Sequence, residues 1–294
     1  MNDTLTAIPG IRVGHWTDTG ALTGCTVVVL PEPNCVTAEF RGGAPGSREA
    51  ALLDPGMSVE QVQAVVFTGG SAFGLASADG VVAALEADGR GYRASMGPVP
   101  IVPTAVVYDL MTGDGSVRPG PEQGAAAYRA ASSAPVLQGR LGAGAGTLVG
   151  SWRGIETATN GGVGSAVVHR EGFSVGALVV VNAVGDIFSL EGASLTGGSP
   201  VPGPPATRPR PLEQTTLVLV ATDAAMDRLR LRRLTVRSHD ALAVCVRPAH
   251  TSHDGDVVFA VSCGPAESDA DSVAEAAWEA TGRAVEAAVV QSRA

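Results

Sequence analysis

The chain has 294 residues and a mass of 29.5 kDa, with 45% hydrophobic and 17% charged residues, a composition that allows a sizeable core and excludes intrinsic disorder. The formal net charge is −9, so a surface that binds nucleic-acid phosphates is not expected. All 20 cationic residues are Arg, and the absence of Lys excludes Schiff-base catalysis and a Walker-type nucleotide site.

The sequence indicates neither a targeting segment nor a metal site. Its first ten residues, MNDTLTAIPG, lack the basic and apolar regions of a signal peptide, and the apolar runs are far shorter than the ~20 residues of a membrane helix. No CxxC pair is present, so we interpret the cysteines as buried small side chains: Cys25, Cys35, Cys245 and Cys263. We therefore expect a soluble cytoplasmic protein with no membrane contact, no metal and no cofactor.

Short runs rich in β-branched residues predict strands at residues 25–30, 62–67, 105–107, 176–181, 215–221 and 257–263, and their continuous hydrophobicity predicts that both faces are covered. Ala-rich segments predict helices at residues 73–88, with Ser71 as N-cap, and at residues 121–132, 223–236 and 268–290. An apolar stripe at helical spacing marks the last helix: Val273, Ala277, Ala280, Ala284, Val285 and Ala288. The irregular alternation of strands and helices predicts a layered α/β or α+β architecture.

The third predicted helix carries a cluster of cations: Arg228, Arg230, Arg232, Arg233 and Arg237. Several of these residues are spaced four apart and so fall on common helix faces. Because the chain as a whole is acidic, we interpret the cluster as a solvated helix face or a subunit contact rather than a nucleic-acid surface.

A Pro-rich stretch at residues 194–214 comes just before the fifth predicted strand. It has almost nothing to bury, so it predicts an exposed, weakly ordered loop, with a domain linker as the alternative. The strand itself begins with Thr215 and Thr216. A Thr hydroxyl is a poor nucleophile without a base, and none of the five histidines lies in a recognisable catalytic motif. A cut before Thr215 would create an α-amino group with a pKa of roughly 7.7–8.0, which can serve as that base on the same residue.

Eight segments, in order along almost the whole chain, resemble the N-terminal-nucleophile hydrolases that include L-aminopeptidase/D-esterase, β-peptidyl aminopeptidases and 6-aminohexanoate-oligomer hydrolase. The segments are IPGIRVGH, RGGAPGSRE, FTGGSAFGLASADGV, TAVVYDL, GGVGSA, VVVNAVGD, TTLVLVATDA and RPAHTSHDGDVVFAV. The resemblance implies a four-layer αββα sandwich of the ornithine acetyltransferase-like superfamily. It also implies one domain, residues 1–294, that cleaves itself between Gln214 and Thr215 into parts 1–214 and 215–294 and forms a homo-oligomer of four or more subunits.

The resemblance also implies roles for individual residues, carried over by matching position. Thr215 would be the nucleophile for self-cleavage and for substrate hydrolysis. Asn182 would lie near the oxyanion or hold the substrate amine, and Tyr108 would line the same site. Asp254 and Asp256 would organise the amine and hydroxyl of Thr215. Taken without the resemblance, Asn182 reads as a turn residue, Tyr108 as a core aromatic and the two aspartates as a plain turn.

A glycine pair follows the second predicted strand and opens a predicted helix. The turn is therefore interpreted as close packing of the strand against the helix, and the N–H groups of Gly69, Gly70 and Ser71 are, as the second interpretation, candidates to bind substrate.

Two positions depart from the family's pattern. The residue before the nucleophile is usually Asn in the members with a Thr nucleophile, and here it is Gln214. Relatives often carry a Lys where Ser151 stands, and some carry one where Asn160 stands. A cation that would stabilise negative charge is therefore missing, and Arg153 is a candidate to supply it, so we expect Ser151 and Arg153 near the substrate.

The expected function is that of a self-processing amidohydrolase or aminopeptidase that acts on small peptides, amides or esters through an acyl-enzyme at Thr215. An acidic pair near the site suits a substrate with a free ammonium group. One alternative is an acyltransferase of the ornithine acetyltransferase type, which would use the same nucleophile but exclude water. Another is an uncleaved, inactive binding protein.

Overall fold

The computed structural model describes residues 2–206 and 214–293. The strands in these residues are β1 Arg12–Asp18, β2 Thr23–Val29, β3 Cys35–Phe40, β4 Ser47–Arg48, β5 Ala64–Thr68, β6 Tyr92–Ala94, β7 Gly97–Val99, β8 Thr104–Val106, β9 Leu148–Val149, β10 Thr159–Asn160, β11 Gly162–Arg170, β12 Phe173–Asn182, β13 Asp186–Ile187, β14 Thr215–Ala224, β15 Val246–Arg247 and β16 Val257–Ala266. The helices are α1 Ser77–Ala87, α2 Pro121–Arg129, α3 Arg228–Cys245 and α4 Ala270–Gln291.

Two five-stranded sheets form the centre of the molecule. The first sheet has the order β1-β2-β5-β8-β4, and the second has the order β11-β12-β14-β16-β3. The sheets share one pattern, because in each the third and fourth strands are parallel and the remaining neighbours are antiparallel. The structure also has three short two-stranded ladders, β6–β7, β9–β10 and β13–β15.

Apolar side chains pack in three successive layers. The central cluster lies between the sheets and combines Val65 and Phe67 of the first sheet with Leu217 and Phe259 of the second. A second cluster packs the other face of the second sheet against α3 and α4, and a third packs the other face of the first sheet against α1 and α2. The order helices, sheet, sheet, helices is the four-layer αββα sandwich that the resemblance implies.

The alternation of side chains along β14 fixes the direction of Thr215. Leu217 and Leu219 pack in the central cluster, whereas Val218 and Val220 pack toward the helices. Because successive side chains of a strand point to opposite faces, Thr215 points to the same side as Leu217, between the two sheets. Asn182, at the end of β12, follows Val180 of the central cluster by two residues and points to that side as well.

The predicted elements are largely confirmed. All six predicted strands are present, and every residue of the apolar stripe on α4 is fully buried. Strands β1, β3 and β11 are additional to the prediction, because polar residues and glycines interrupt their hydrophobic runs. In β11 a glycine is required, since a Cβ at Gly164 would lie 2.0 Å from the Ala284 carbonyl oxygen of α4.

Two helix starts differ from the prediction. Ser71 is the first residue of a 3₁₀ turn, Ser71–Ala76, and not an N-cap, because Gly70 occupies the cap position with a φ of 80°. The third helix begins at Arg228 and not at residue 223, since β14 continues through Ala224 and the Asp227 side chain caps the helix by accepting the Arg230 N–H at 2.8 Å.

The interpretation of the Arg cluster as a solvated face is wrong for one member. Arg230 and Arg233 are exposed, but Arg228 is only 3% exposed. Its guanidinium donates to the backbone carbonyl oxygens of Val36, Asp54, Met57 and Val59 at 2.6–3.1 Å. Arg228 therefore ties the segment after β3 to the start of α3, because its fixed fork can satisfy several carbonyls at once.

The Pro-rich loop is mainly exposed at residues 194–206, as predicted, and residues 207–213 lie outside the described part. Its last residue does not fit the prediction, since Gln214 is only 4% exposed. Among the described residues, no helix combines the length and the apolar character needed to span a bilayer.

Candidate active site

The ends of three strands meet at one edge of the sandwich. Asn182, the last residue of β12, is paired directly with Thr215, the first residue of β14. Strand β16 runs parallel to β14 with Val257 opposite Leu217, so the turn that precedes β16 lies beside the start of β14. Thr215 itself is 6% exposed. The pairing therefore brings Asn182, Thr215 and the 254–256 turn together, as the resemblance implies.

The peptide bond between Gln214 and Thr215 is held on both sides by the turn before β16. The Gln214 N–H donates to the His253 carbonyl oxygen at 3.1 Å, and the Gly255 N–H donates to the Gln214 carbonyl oxygen at 2.9 Å. A Cβ at Gly255 would lie 2.7 Å from Thr215 Oγ1, so the Gly255 backbone passes directly beside the hydroxyl. This arrangement places a hydroxyl and a hydrogen-bonded carbonyl side by side.

Asp256 supports the residue that follows the candidate nucleophile. Its Oδ1 accepts the Thr216 N–H at 2.7 Å, and its Oδ2 accepts from the His250 ring Nδ1 at 2.8 Å and from the His250 N–H at 3.2 Å. His250 is a site residue that the sequence analysis missed. The HTSHDGD run places it six residues before Asp256, but its ring reaches the carboxylate because His250 has a φ of 56°, a backbone form that the sequence pattern does not indicate.

Asp254 is buried beside Asp256 and is paired with Gln214 through the backbone. Burial, together with the nearby charge of Asp256, raises the pKa of the Asp254 carboxyl to about 7. The Thr251 N–H donates to Asp254 Oδ2 at 2.7 Å and partly offsets this effect. A carboxyl group with such a pKa can exchange a proton near neutral pH.

The segment at residues 41–44 closes the outer side of this turn. The Arg41 N–H donates to the Asp256 carbonyl oxygen at 3.0 Å, and the Ala44 N–H donates to the Asp254 carbonyl oxygen at 2.8 Å. A Cβ at Gly42 would lie 2.2 Å from the Asp254 carbonyl oxygen. The glycines of the RGG run therefore serve close backbone packing.

The Asn182 side chain bridges three elements. Its Oδ1 accepts the Leu148 N–H at 3.0 Å, and its Nδ2 donates to the Tyr108 carbonyl oxygen at 3.3 Å. Tyr108 is thus joined to the site through its backbone, just after β8. An amide nitrogen carries two protons, so Asn182 Nδ2 has a further donor besides the one that Tyr108 accepts.

The glycine turn after β5 fits the packing alternative better than a free substrate-binding loop. The N–H groups of Gly69, Gly70 and Ser71 already donate to the Gly24 carbonyl, the Asp109 carboxylate and the Val107 carbonyl, respectively. Asp109 was not singled out in the sequence. Its pKa is raised by burial, an effect that the Gly70 N–H and the Thr23 hydroxyl partly offset. The turn adjoins the site because Asp109 follows Tyr108.

Ser151 and Arg153 have different positions relative to the Gln214–Thr215 bond. Ser151 is 1% exposed, and its hydroxyl accepts from the Gln214 side-chain amide at 3.3 Å. The Arg153 guanidinium instead makes two 3.0 Å hydrogen bonds to the buried carboxylate of Asp186. The interpretation of Arg153 as a replacement for the missing Lys is therefore corrected, since Asp186 neutralises its charge.

The loop before Thr215 contacts the same 151–153 turn. The Trp152 indole N–H donates to the Gly203 carbonyl oxygen at 2.8 Å, and the Ala206 N–H donates to the Trp152 carbonyl oxygen at 3.1 Å. The Thr196 hydroxyl donates to Asp186 Oδ1 at 2.9 Å. The 151–153 turn therefore contacts the loop near its start, near its end and at Gln214.

No group of three or more His, Cys, Asp or Glu side chains within residues 2–206 and 214–293 is arranged to hold a metal ion. The site is instead made of a hydroxyl, two carboxyl groups, an amide and backbone N–H donors. These groups suit acyl transfer by a nucleophile with a hydrogen-bonded oxyanion.

Residues 3–294 match the family model described as peptidase family S58. An uncharacterized aminopeptidase of Mycobacterium tuberculosis is 41% identical over 289 residues, which cover 89% of this chain and 82% of that protein. The 6-aminohexanoate-oligomer endohydrolase of Kocuria sp. (strain KY2) is 29% identical over 274 residues, which cover 86% of this chain and 73% of that enzyme.

Solved structures share the fold. The L-aminopeptidase D-Ala-esterase/amidase of Ochrobactrum anthropi, described as a variant of the Ntn hydrolase fold, has a TM-score of 0.79 at 20% identity over 99% of this chain and 86% of that one. A Burkholderia sp. beta-aminopeptidase has a TM-score of 0.73 at 23% identity with the same coverage. The fold is therefore that of the Ntn hydrolases, and because the family model spans almost the whole sequence, the chain belongs to peptidase family S58 and is a hydrolase.

Proposed function

We propose that the chain is made as an inactive precursor that cuts its own Gln214–Thr215 bond and then acts as an aminopeptidase or amidase with Thr215 as nucleophile. The observation that carries this proposal is the setting of that bond. Its carbonyl oxygen accepts the Gly255 N–H at 2.9 Å, while the Thr215 hydroxyl lies against the Gly255 backbone. A carbonyl polarised next to a hydroxyl favours attack by that hydroxyl.

Self-cleavage begins with an acyl shift. Thr215 Oγ1 loses its proton to a base and attacks the Gln214 carbonyl carbon, and the Gly255 N–H stabilises the tetrahedral oxyanion. The bond from the Gln214 carbon to the Thr215 nitrogen breaks, the nitrogen takes up a proton, and an ester to Thr215 remains. Water then hydrolyses this ester, which releases the Gln214 carboxylate and leaves Thr215 with a free amine and hydroxyl.

Asp254 is the proposed proton acceptor for the first of these steps. Before cleavage the Thr215 nitrogen belongs to a peptide bond and cannot act as a base. A carboxyl group with a pKa of about 7 has the right strength to accept a proton at neutral pH and to return it. Its backbone pairing with Gln214 keeps Asp254 next to the bond.

Substrate hydrolysis uses the amine that cleavage creates. The free α-amino group of Thr215 accepts the proton of the hydroxyl, and the alkoxide attacks the substrate's amide carbonyl. The amide of Asn182, paired opposite Thr215, donates to the oxyanion. The leaving amine is protonated, and water hydrolyses the acyl-enzyme. In this stage Asp254 and Asp256 hold the Thr215 amine and the backbone at the start of β14 in place.

The proposed substrates are small peptides, amides or esters with a free amino group. The carboxyl groups at residues 254 and 256 give the site an acidic side, which favours an ammonium group close to the scissile bond. The relatives support this class, since one is called an aminopeptidase and another acts on 6-aminohexanoate oligomers. The proposed substrate-binding residues are Ser151, which contacts the Gln214 side chain, and Tyr108, which is joined to Asn182.

A homo-oligomer of four or more subunits and a cytoplasmic location are further parts of the proposal. Exposed apolar side chains that a subunit contact would cover include Phe73, Met96 and Met111, with 59%, 97% and 55% exposure. Size-exclusion chromatography with light scattering tests the assembly, and a monomer at micromolar concentration contradicts it.

Intact mass spectrometry of the purified protein tests the cleavage. We expect two chains, residues 1–214 and 215–294, that copurify. Thr215→Ala is expected to leave one full-length chain, and Thr216→Ala is expected to be cleaved as the parent. A full-length parent chain would contradict the proposal and favour an uncleaved binding protein, whereas cleavage in Thr215→Ala would move the nucleophile elsewhere.

Matched substrates test the specificity. The amide of a free amino acid and the same amide with an N-acetyl group differ only in the ammonium charge. We expect the cleaved protein to hydrolyse the free form at least ~10-fold faster in kcat/KM, since a paired ammonium adds a charge-assisted hydrogen bond. Equal rates would contradict recognition of the amine. Transfer of the acyl group to added ornithine in preference to water would favour the acyltransferase.

A further inference from the structure

We propose that His250 is a positioning residue that fixes the Asp256 carboxylate and, through it, the backbone at Thr215. The inference rests on the proposed function, because it assigns a role within the same site. His250 does not touch the Gln214–Thr215 bond in the contacts described; it acts through Asp256.

The Asp256 carboxylate is held from two sides. On one side, its Oδ2 accepts from His250 Nδ1 at 2.8 Å and from the His250 N–H at 3.2 Å. On the other side, its Oδ1 accepts the Thr216 N–H at 2.7 Å. Because the Thr216 nitrogen is one residue from the nucleophile, a rotation of this carboxylate would displace the start of β14. Small displacements of a nucleophile lower the rate strongly.

The hydrogen bond to Asp256 places a proton on Nδ1 of His250. A carboxylate can only accept, so the hydrogen bond to Asp256 requires Nδ1–H. The other ring nitrogen, Nε2, is buried and has no hydrogen-bond partner among the described residues. A proton there would be an unpaired buried donor, which is unfavourable.

The titratable and charged groups around the His250 ring come from several elements. Asp254 and Asp256 belong to its own loop. His239 of α3 packs edge-on against the ring, with centroids 4.9 Å apart, and burial lowers the pKa of His239 to about 4. Glu39 and Arg41, at the end of β3, influence the pKa of His239 through their charges. The His239 ring gives the His250 ring a packed neighbour, which helps to hold it in place while its Nδ1–H serves Asp256.

The backbone of His250 also takes part in the contact with Asp256. Its φ of 56° is uncommon for a residue with a side chain, and it directs the N–H and the ring Nδ1 of His250 to the same oxygen. Strained conformations of this kind persist where the surroundings hold them and cluster at functional sites.

Two substitutions separate positioning from packing. His250→Ala removes the donor, and His250→Asn retains an N–H close to the Nδ1 position and tolerates a positive φ. We expect His250→Ala to slow both self-cleavage and kcat by about 10- to 100-fold with KM changed by less than about threefold, and His250→Asn to recover to within about fivefold of the parent. His169→Ala is the matched control. His169 is exposed, lies at the far end of β11 and is hydrogen-bonded to Ser174. This variant is expected to behave as the parent.

The pH profile is the readout that a purely structural role would not move. Loss of the Nδ1–H donor disfavours the charged carboxylate, so the acid limb of kcat/KM in His250→Ala is expected to move to higher pH, and His250→Asn is expected to retain the parent profile. A His250→Ala variant with parent rates and profile overturns the inference. A His250→Asn variant as slow as His250→Ala, with both unfolding at the parent temperature, also overturns it.

A third measurement decides the question if His250→Ala does not fold. In the uncleaved Thr215→Ala protein, proton and nitrogen NMR of the imidazole is expected to show a hydrogen-bonded Nδ1–H at His250. A proton on Nε2 instead overturns the inference. Failure of the proposed function is distinguishable, because then the parent chain itself stays full-length.

Discussion

The N–H of Gly255 donates a 2.9 Å hydrogen bond to the carbonyl oxygen of Gln214. This one contact joins the turn before β16 to the bond that the chain is proposed to cut. It forms because β14 and β16 are parallel, so that the residue preceding each strand lies at the same edge of the second sheet. In the proposed mechanism the same N–H can also serve a substrate's oxyanion once the bond is cut.

Gly255→Ala is expected to abolish or strongly slow self-cleavage. The new methyl group would lie 2.7 Å from Thr215 Oγ1 and 2.7 Å from the Ala44 carbonyl oxygen, so the hydroxyl or the turn must move. Such a displacement is expected to cost at least ~10²-fold in the rate of cleavage, measured by intact mass over time.

Gly20→Ala is the control for this substitution. Its Cβ would meet only Asp18 Oδ1, at 3.5 Å, and its φ is not in the left-handed region. It is therefore expected to cleave at the parent rate. Unimpaired cleavage of Gly255→Ala would show that the Gly255 backbone is not close to the reacting hydroxyl in solution.

Asn182→Ala is expected to lower kcat by about 10²–10³, because it removes a side-chain amide donor opposite the nucleophile. It also leaves the Leu148 N–H and the Tyr108 carbonyl without their partner, which is expected to cost about 1–3 kcal/mol of stability. Kinetics are measured on the cleaved fraction, which mass spectrometry quantifies, and stability is measured by urea unfolding.

Asn34→Ala separates the two effects of the Asn182 substitution. Asn34 is also a buried Asn whose side chain bonds only to backbone, at Pro31 and Val62, and it lies away from the site. It is expected to lose stability to a similar degree with kcat unchanged. If Asn182→Ala affects only stability as well, Asn182 is a structural residue.

Arg153→Gln is expected to destabilise the chain by about 1–3 kcal/mol, because the buried Asp186 carboxylate loses its two guanidinium hydrogen bonds. Self-cleavage is expected to slow several-fold, since the 151–153 turn holds both the loop and Gln214. Urea unfolding and the time course of cleavage measure these effects.

Arg230→Gln is the matched control for Arg153→Gln. Its ion pair with Asp227 spans 3.7 Å and both side chains are more than half exposed, so the expected change is within about 0.5 kcal/mol. Equal effects of the two substitutions would contradict a structural role for the Arg153–Asp186 pair.

The sequence predicts the framework of the site because that framework depends on strand periodicity. The hydrophobic runs ending at Asn182 and beginning at Thr215 are both evident, but they are continuous and do not by themselves assign the two side chains to one face. The pairing of Thr215 with Asn182 then follows from the antiparallel register. Continuous strands and apolar helix faces indicate a layered α/β or α+β architecture, and the four-layer order is what the resemblance implies.

The remaining parts of the site depend on contacts between distant segments, which local patterns do not contain. Asp109 takes up the Gly70 N–H, so a turn that reads as open is already occupied. Arg228 sits in a cationic run but is buried, because carbonyl groups from residues 36–59 surround its guanidinium. His250 reaches Asp256 only through a left-handed backbone conformation.

Asp254→Asn is expected to change the pH dependence of stability in a defined direction. The folded pKa of Asp254, about 7, lies above the ordinary value of 3.8, because of burial and the charge of Asp256. Between these two values the folded state binds more protons than the unfolded state, so this group's contribution to stability falls as the pH rises through that window. Asn carries no charge and is free of this loss.

The experiment uses the Thr215→Ala precursor, so that no new ammonium forms beside Asp254. The stability of the Asp254→Asn variant relative to its parent is expected to increase from pH 5 to pH 8, by on the order of 1–3 kcal/mol, measured by urea unfolding. Burial also lowers the pKa of His15 and of His239 to about 4, which acts on stability in the opposite direction. Both residues are present in each protein, so their effect cancels in the difference.

Asp271→Asn, at an exposed position in the first turn of α4, is the control and is expected to leave the pH dependence unchanged. A difference for Asp254→Asn that stays constant or decreases with pH would show that this carboxyl is not held with a raised pKa, and the proton acceptor proposed for the first step of self-cleavage would have to be another group.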